Sequence, residues 1–411
     1  MHAIIVVGDG MADRALKDLN YKTPLEVARV GAMNRLTSAG ASGLLDPIGP
    51  GLVPGSDVAN LSILGYDVSR VYTGRGPLEA AGAGLELQKG DLAFRCNFAT
   101  VENDLTVLDE RAGRILDGLG ELEEALRSLE FGGGHDIRFI FKRTSGFRGV
   151  LLLRGEGLSP NLSTHMPKVG CRADSVKPTD DSTEAERTCN ALREFIKTSH
   201  EFLDDHPVNQ KRRSEGKLPA NIVAPWGPGK QPNAKTLSEH YGLKAACVAG
   251  VSLIKGICKL AGMTVIDVPG ATGDIDTDTT AKGEAALRML RDHDLVFVHV
   301  EGPDEASHDG NILGKISIIE KIDSMVGLLL EHVNLEETYV ALLADHVTST
   351  RLRRHTGDPV PIVIAGADVT RDEVASYSER MASRGSLGRV RGTDLMPIIL
   401  DLIGKMEKLG E

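Results

Sequence analysis

The sequence predicts an α/β protein, with a mostly parallel sheet flanked by helices and interrupted by an inserted α+β domain. Three observations carry this prediction. Short apolar runs rich in β-branched residues recur along the chain, which is the pattern of strands buried on both faces. Helical patterns alternate with those runs, and a more charged stretch broken by Gly and Pro separates the first strand from the later ones. At 411 residues the chain is long enough for two domains, or for one large core carrying an insertion.

The first apolar run, 3–7, reads as a strand that ends in Gly8-Asp9-Gly10. Thr23 as N-cap and Pro24 at the first position predict a helix over 24–39. A glycine-bent turn, Gly51-Leu52-Val53-Pro54-Gly55, then presents Ser56 ahead of a helix over 57–64, for which Ser56 is also an N-cap candidate. From 84 to 220 the composition shifts. Strands at 137–141 and 150–153, and a helix over 182–203 after Pro178-Thr179-Asp180, mark this stretch as the insertion, leaving 1–83 and 221–411 as one discontinuous core. Lys211-Arg212-Arg213 reads as a solvated helix end. The core resumes with strands at 264–268, 295–300, 339–343 and 360–365, and with helices over 280–292, 312–331 and 393–409. Strand, turn and helix in that order imply right-handed βαβ units with ligands gathered at the carboxyl ends of the strands.

A net charge of −11 argues against a nucleic-acid or anionic-membrane surface, while a local basic pocket for a small anion stays open. Cys96, Cys171, Cys189, Cys247 and Cys258 form no C-x-x-C pair, so neither a disulfide frame nor a cysteine metal site is indicated and a reducing cytoplasm fits. The N-terminus has no basic leader, and no apolar run approaches membrane-spanning length. A cytoplasmic protein is expected.

The chemistry gathers where the strands end. Asp9 emerges from the first strand between two glycines; a dinucleotide-binding reading fails because Asp13 occupies the third glycine position. Asp304 and His308 are four apart, which on a helix puts both on one face, able to share an ion. Asp345 and His346 leave a strand as neighbours, so their side chains can diverge toward two different metals, and His355 follows in the next turn. Each pair alone also fits a capping aspartate or a turn histidine. With Ser56, however, they make a hydroxyl nucleophile plus six carboxylate or imidazole ligands, the inventory for two divalent metals and a phosphoryl-accepting serine. Oxygen and nitrogen ligands without thiolate suit Mn²⁺, Zn²⁺, Co²⁺ or Mg²⁺, with the imidazoles favouring a transition metal.

Motifs along nearly the whole chain point the same way. They include Gly8-Asp9-Gly10-Met11-Ala12-Asp13, Pro54-Gly55-Ser56-Asp57, Tyr72-Thr73-Gly74-Arg75-Gly76-Pro77-Leu78-Glu79, Phe94-Arg95-Cys96-Asn97 and Pro269-Gly270-Ala271-Thr272-Gly273. In these the chain resembles the archaeal-type 2,3-bisphosphoglycerate-independent phosphoglycerate mutases, a branch of the alkaline phosphatase superfamily. The resemblance implies an alkaline-phosphatase-like core and two divalent ions, Mn²⁺ foremost. One ion would be held by Asp304, His308 and His355, the other by Asp9, Ser56, Asp345 and His346. It implies that Ser56 takes the phosphoryl group of 3-phosphoglycerate and returns it to the other hydroxyl of the same glycerate. Lys255 matches a lysine expected to contact the phosphoryl group, and Arg75, Arg95, Arg111, Arg114 and Arg148 are the candidates for holding the acid. The family's Ser-Asp-x-Asp-Pro segment is replaced here by Ser163-Thr164-His165-Met166-Pro167, so His165 is expected to guide the glycerate hydroxyls in place of the missing carboxylates. The segments 220–230 and 299–305 look instead like a sister group proposed to phosphorylate homoserine. A homoserine-type phosphotransferase and a phosphomonoesterase are therefore the alternatives, each using the same metal-serine centre.

Overall fold

A computed structural model describes residues 1–127, 129, 136–408 and 410. The chain divides into two compact units, Met1–Val71 with Ala234–Glu411, and Tyr72–Asn233.

The first unit is built on an eight-stranded sheet. Its strands run in the order Thr264–Ile266, Ala245–Val248, Leu295–Val300, His2–Gly8, Thr338–Leu343, Val360–Ala365, Gly40–Asp46 and Gly388–Arg391. Only Val360–Ala365 runs against its two neighbours; the other pairings are parallel. The register positions the chemistry. Gly8 lies opposite Val300, and Val7 lies opposite Leu343, so Asp9, Glu301 and Asp345 leave three adjacent strands at one edge. The central strands are buried along their whole length, consistent with helices packed on the sheet faces. Helices Thr279–Leu290 and Ile312–His332 pack together, their first turns capped by the side chains of Asp278 and Asn311.

Several expectations are corrected. The helix over 24–39 is two helices, Pro24–Val27 and Gly31–Ser38, because Ala28 turns extended at ψ 151°. Thr23 and Glu26 close a capping box on the first helix, while the Asp323 carboxylate accepts from the N–H groups of Ala32 and Met33 at 3.2 and 2.8 Å and so starts the second. The last helix spans Gly392–Leu402 instead of 393–409, whose end at Leu409 lies outside the described residues. Strands Gly40–Asp46, Ala245–Val248 and Gly388–Arg391 are additional to those the sequence predicts. At Gly40 the Ile364 carbonyl oxygen stands 2.2 Å from where a Cβ would sit, so the glycine that permits this approach also erases the strand signal.

In the second unit, Leu92–Val101 pairs antiparallel with Arg148–Arg154 on one side and Ile222–Gly229 on the other, and Arg138–Arg143 continues the sheet. Helix Thr183–Asp204, capped by Ser182, packs on Ile222–Gly229. This unit is wider than the expected 84–220. Ile222–Gly229 belongs to its sheet, and helix Arg75–Gly82 packs so closely that the Ala93 carbonyl oxygen stands 2.0 Å from a Cβ placed on Gly76. The basic cluster is also not uniformly solvated. Lys211 and Arg213 are exposed, but Arg212 is buried and donates to the carbonyls of Ile115 and Asp117 at 2.9 and 2.6 Å. Among the described residues no helix is long and apolar enough to cross a membrane.

Candidate metal and nucleophile centre

Ser56 is delivered as the first residue of the helix Ser56–Ile63. Gly55 is its N-cap and no side chain caps it, so the expected capping role of the serine is absent. The hydroxyl instead lies 3.1 Å from His346 Nε2 and is buried. One turn on, Asn60 Nδ2 donates to the Ser56 carbonyl and to Asp345 Oδ2, both at 2.8 Å, tying the nucleophile's helix to the strand end. Around His346 Nε2 stand Asp9 Oδ1 at 3.2 Å and Asp345 Oδ2 at 3.6 Å.

A second group adjoins the first. Asp304 and His308 lie on one face of the helix Gly302–His308, with His308 Nε2 3.4 Å from Asp304 Oδ2. His355 Nε2 is 3.3 Å from Asp304 Oδ1 and 3.1 Å from His308 Nε2. The ring tautomers follow from the partners. His308 Nδ1 faces the Arg353 carbonyl at 3.0 Å and His355 Nδ1 faces the Pro54 carbonyl at 2.8 Å, and a carbonyl only accepts. Each ring therefore carries a proton on Nδ1 and turns Nε2 toward the other ring and toward a carboxylate. Two bare Nε2 atoms 3.1 Å apart beside an anion repel unless a proton or a metal cation lies among them. This is the chemistry of a metal-binding set, with the other ring nitrogen anchored as such ligands require.

The electrostatics agree. Burial, and then the neighbouring Asp345, Glu301 and Asp304, push the Asp9 carboxyl well above the usual range. Burial works in the same direction on Asp345 and Asp304, yet the imidazoles outweigh it; Asp345 falls to about 2 and Asp304 is held well below the carboxylate range. Burial takes His346 down to about 4, while Asp304 overcomes burial to raise His355 to about 8, so with no metal bound His355 Nε2 takes up a proton at neutral pH in the place a cation would hold. Divalent cations would offset the cost of so many buried acceptors, so the residues present fit the two ions.

Four residues of this centre, His299, Glu301, Asn60 and Thr348, lie outside the set expected from the sequence. His299 Nε2 lies 3.4 Å from Asp9 Oδ2, and His299 Nδ1 lies 3.8 Å from Glu301 Oε2. An imidazole inside the otherwise apolar strand Leu295–Val300 was the available signal. Asn60 and Thr348 gave none, being common residue types in ordinary settings. Gly10, at φ 58°, is needed here because a Cβ would stand 2.4 Å from Thr348 Oγ1 and 2.9 Å from Asp304 Oδ1. Gly10→Ala is expected to cost about 1–2 kcal/mol from backbone strain alone and to lower metal content, measured by urea unfolding and elemental analysis. Wild-type values for both would contradict the packing described.

A cleft of about 780 Å³ opens over His308, His355, Pro54 and Gly55, with Arg14 and Arg354 at its wall. Lys255, on the helix Ser252–Leu260, is held in an ion pair with Asp267 at 2.6 Å.

The expected arginines lie in the second unit. The guanidinium carbons of Arg75 and Arg95 sit 5.5 and 5.3 Å from the centre of the Trp226 ring, and both side chains pair with Glu79. Those of Arg148 and Arg111 lie 5.0 and 5.9 Å from the centre of the Phe147 ring. Burial lowers Arg95 to about 10; Glu79 opposes this, and the positive charges of Arg75 and Arg148 add to it. Four of the five arginines thus form a basic cluster on two aromatic rings. Arg114 is exposed, as is His165, which lines a small cavity with Ala224 and Pro225, just before Trp226.

Residues 1–402 match the family model described as the Metalloenzyme superfamily. The chain is 47% identical to 2,3-bisphosphoglycerate-independent phosphoglycerate mutase 1 of Methanothermobacter thermautotrophicus, covering 100% of both chains. It is 48% identical to the 2,3-bisphosphoglycerate-independent phosphoglycerate mutase of Methanopyrus kandleri, covering 99% of this chain and 97% of that one. A solved structure of a protein from Pyrococcus horikoshii matches with a TM-score of 0.85 at 37% identity, over 100% of this chain and 99% of that one. The cofactor-independent phosphoglycerate mutase of Thermoplasma acidophilum matches with a TM-score of 0.66 at 33% identity, over 98% and 100%. The chain belongs to the Metalloenzyme superfamily and, within it, to the family of 2,3-bisphosphoglycerate-independent phosphoglycerate mutases.

Proposed function

We propose that the protein interconverts 3-phosphoglycerate and 2-phosphoglycerate through a phosphoserine on Ser56, with Mn²⁺ as the preferred metal, in cytoplasmic glycolysis and gluconeogenesis. The observation that carries this is the buried Ser56 hydroxyl set 3.1 Å from His346 Nε2, amid carboxylates and imidazoles. Divalent cations bound by the two ligand sets would lower the hydroxyl's pKa and neutralise phosphoryl oxygens.

In the first half-reaction Ser56 Oγ forms a bond to phosphorus and releases its proton, while the bond from phosphorus to the C3 oxygen breaks and glycerate becomes an alcohol there. In the second, the C2 hydroxyl oxygen bonds to phosphorus and gives up its proton, while the bond from phosphorus to Ser56 Oγ breaks and the serine oxygen takes a proton back. Asp9, Asp345 and His346 orient the nucleophile's side of the centre; Asp304, His308 and His355 form the other side. The proposed recognition group for the glycerate carboxylate is the cluster of Arg75, Arg95, Arg111 and Arg148, because guanidinium forks bind carboxylates bidentately. Arg114, Lys255 and His165 are assigned to the acid, the phosphoryl group and the glycerate hydroxyls respectively. The five free cysteines, four of them buried, fit a reducing compartment.

The test is to supply Mn²⁺-loaded protein with 3-phosphoglycerate and no 2,3-bisphosphoglycerate. Appearance of 2-phosphoglycerate supports the reading. Inorganic phosphate as the main product would replace it with a phosphomonoesterase, and turnover only with homoserine and a phosphoryl donor would replace it with a phosphotransferase. Arg148→Ala is expected to raise KM for 3-phosphoglycerate by ~10- to 100-fold, as loss of a charge-assisted pair does. An unchanged KM in steady-state kinetics would remove Arg148 from recognition.

A further inference from the structure

The geometry points to Thr348 as a positioning residue that links the two metal-binding sets through one hydroxyl, an inference that rests on the two-metal reading above. Thr348 Oγ1 is fully buried and lies 2.7 Å from Asp304 Oδ1 and 3.0 Å from His346 Nδ1. A hydroxyl has one proton to give. Asp304 Oδ1 takes it as a carboxylate acceptor, so toward His346 the same oxygen can only accept. His346 must then carry its proton on Nδ1, and Nε2 is left with its lone pair directed at Ser56, Asp9 and Asp345. One threonine thereby orients Asp304 in one set and sets the tautomer of His346 in the other.

The surroundings keep that hydroxyl where it is. The Thr348 carbonyl accepts from the fully buried Lys315 Nζ at 2.8 Å, and Lys315 also reaches Asp13 Oδ2 at 3.0 Å and the Ala12 carbonyl at 3.1 Å. Thr348 N donates to the Ala12 carbonyl at 3.3 Å. Thr348 also faces His355 across the two-stranded ribbon of Val347–Ser349 and Arg354–Thr356, so the residue joining Asp304 to His346 shares its ribbon with a third imidazole. The left-handed Gly10, whose missing Cβ leaves room for Thr348 Oγ1, completes the enclosure.

The test compares Thr348→Val, which keeps the shape and removes the hydroxyl, with Thr348→Ser, which restores it. Bound Mn²⁺ is counted by elemental analysis, and the affinity of each site is measured against a competing chelator. Thr348→Val is expected to weaken both sites by ~10- to 100-fold, the usual effect of losing a group that orients metal ligands, while Thr348→Ser stays within a few-fold of the parent. Thr348→Ala gives the same comparison should the valine variant not fold. Parent-like affinity at both sites in the hydroxyl-free variant, weakening at one site only, or failure of serine to rescue would each overturn the link. If the parent itself does not bind two ions, the two-metal reading fails instead, a result distinct from all of these.

Discussion

Ser56→Ala is expected to lower turnover by at least ~10³-fold, the scale on which loss of a covalent nucleophile acts. The unfolding midpoint is expected to move little, because Gly55 caps the helix and the Ser56 hydroxyl satisfies none of its N–H groups. The two measurements separate a chemical from a structural role. Kinetics with 3-phosphoglycerate read the first and thermal unfolding reads the second. Near-parent turnover in the variant would exclude Ser56 as the phosphoryl acceptor.

Asp345→Ala and Asp304→Ala are expected to remove different ions. Asp345 stands with His346, Asp9 and Ser56, whereas Asp304 stands with His308 and His355. Each variant should fall from about two bound ions per chain to about one, with activity lost in both, since the nucleophile needs metal-assisted ionisation at neutral pH. Chelation of the parent should abolish activity, and Mn²⁺ should restore it. Two tightly bound ions in either variant, measured by elemental analysis after gel filtration, would contradict the division into two sets.

The parts legible in the sequence were those whose residue types are rare in their setting. Carboxylates and imidazoles at the ends of apolar, β-branched runs stand out, and Asp9, Asp304, His308, Asp345, His346, His355 and Ser56 all meet in one centre, buried but for the half-buried His308 and His355. Strand direction was not legible. Val360–Ala365 is as apolar and as buried as its parallel neighbours, and nothing in its pattern encodes that it runs the other way. Gly40–Asp46 was hidden because its glycines serve close packing against Ile364 and Leu387. The break at Ala28 depends on Asp323, a carboxylate far along the chain, which no local window contains. Thr348 was invisible for a similar reason: its partner Asp304 lies 44 positions away, and a threonine in a short strand is commonplace. The insertion's limits were misplaced because they follow strand pairing between Leu92–Val101 and Ile222–Gly229 more than any change of composition.

The central claim, that Ser56 carries the phosphoryl group between the two hydroxyls of glycerate, is tested most directly by following the label. Mn²⁺-loaded protein would be mixed with 3-phosphoglycerate labelled in its phosphoryl group, quenched during turnover and mapped by peptide. The expected result is label on the peptide containing Ser56 that chases into 2-phosphoglycerate. Steady formation of 2-phosphoglycerate with no label on that peptide at any time point would contradict the claim.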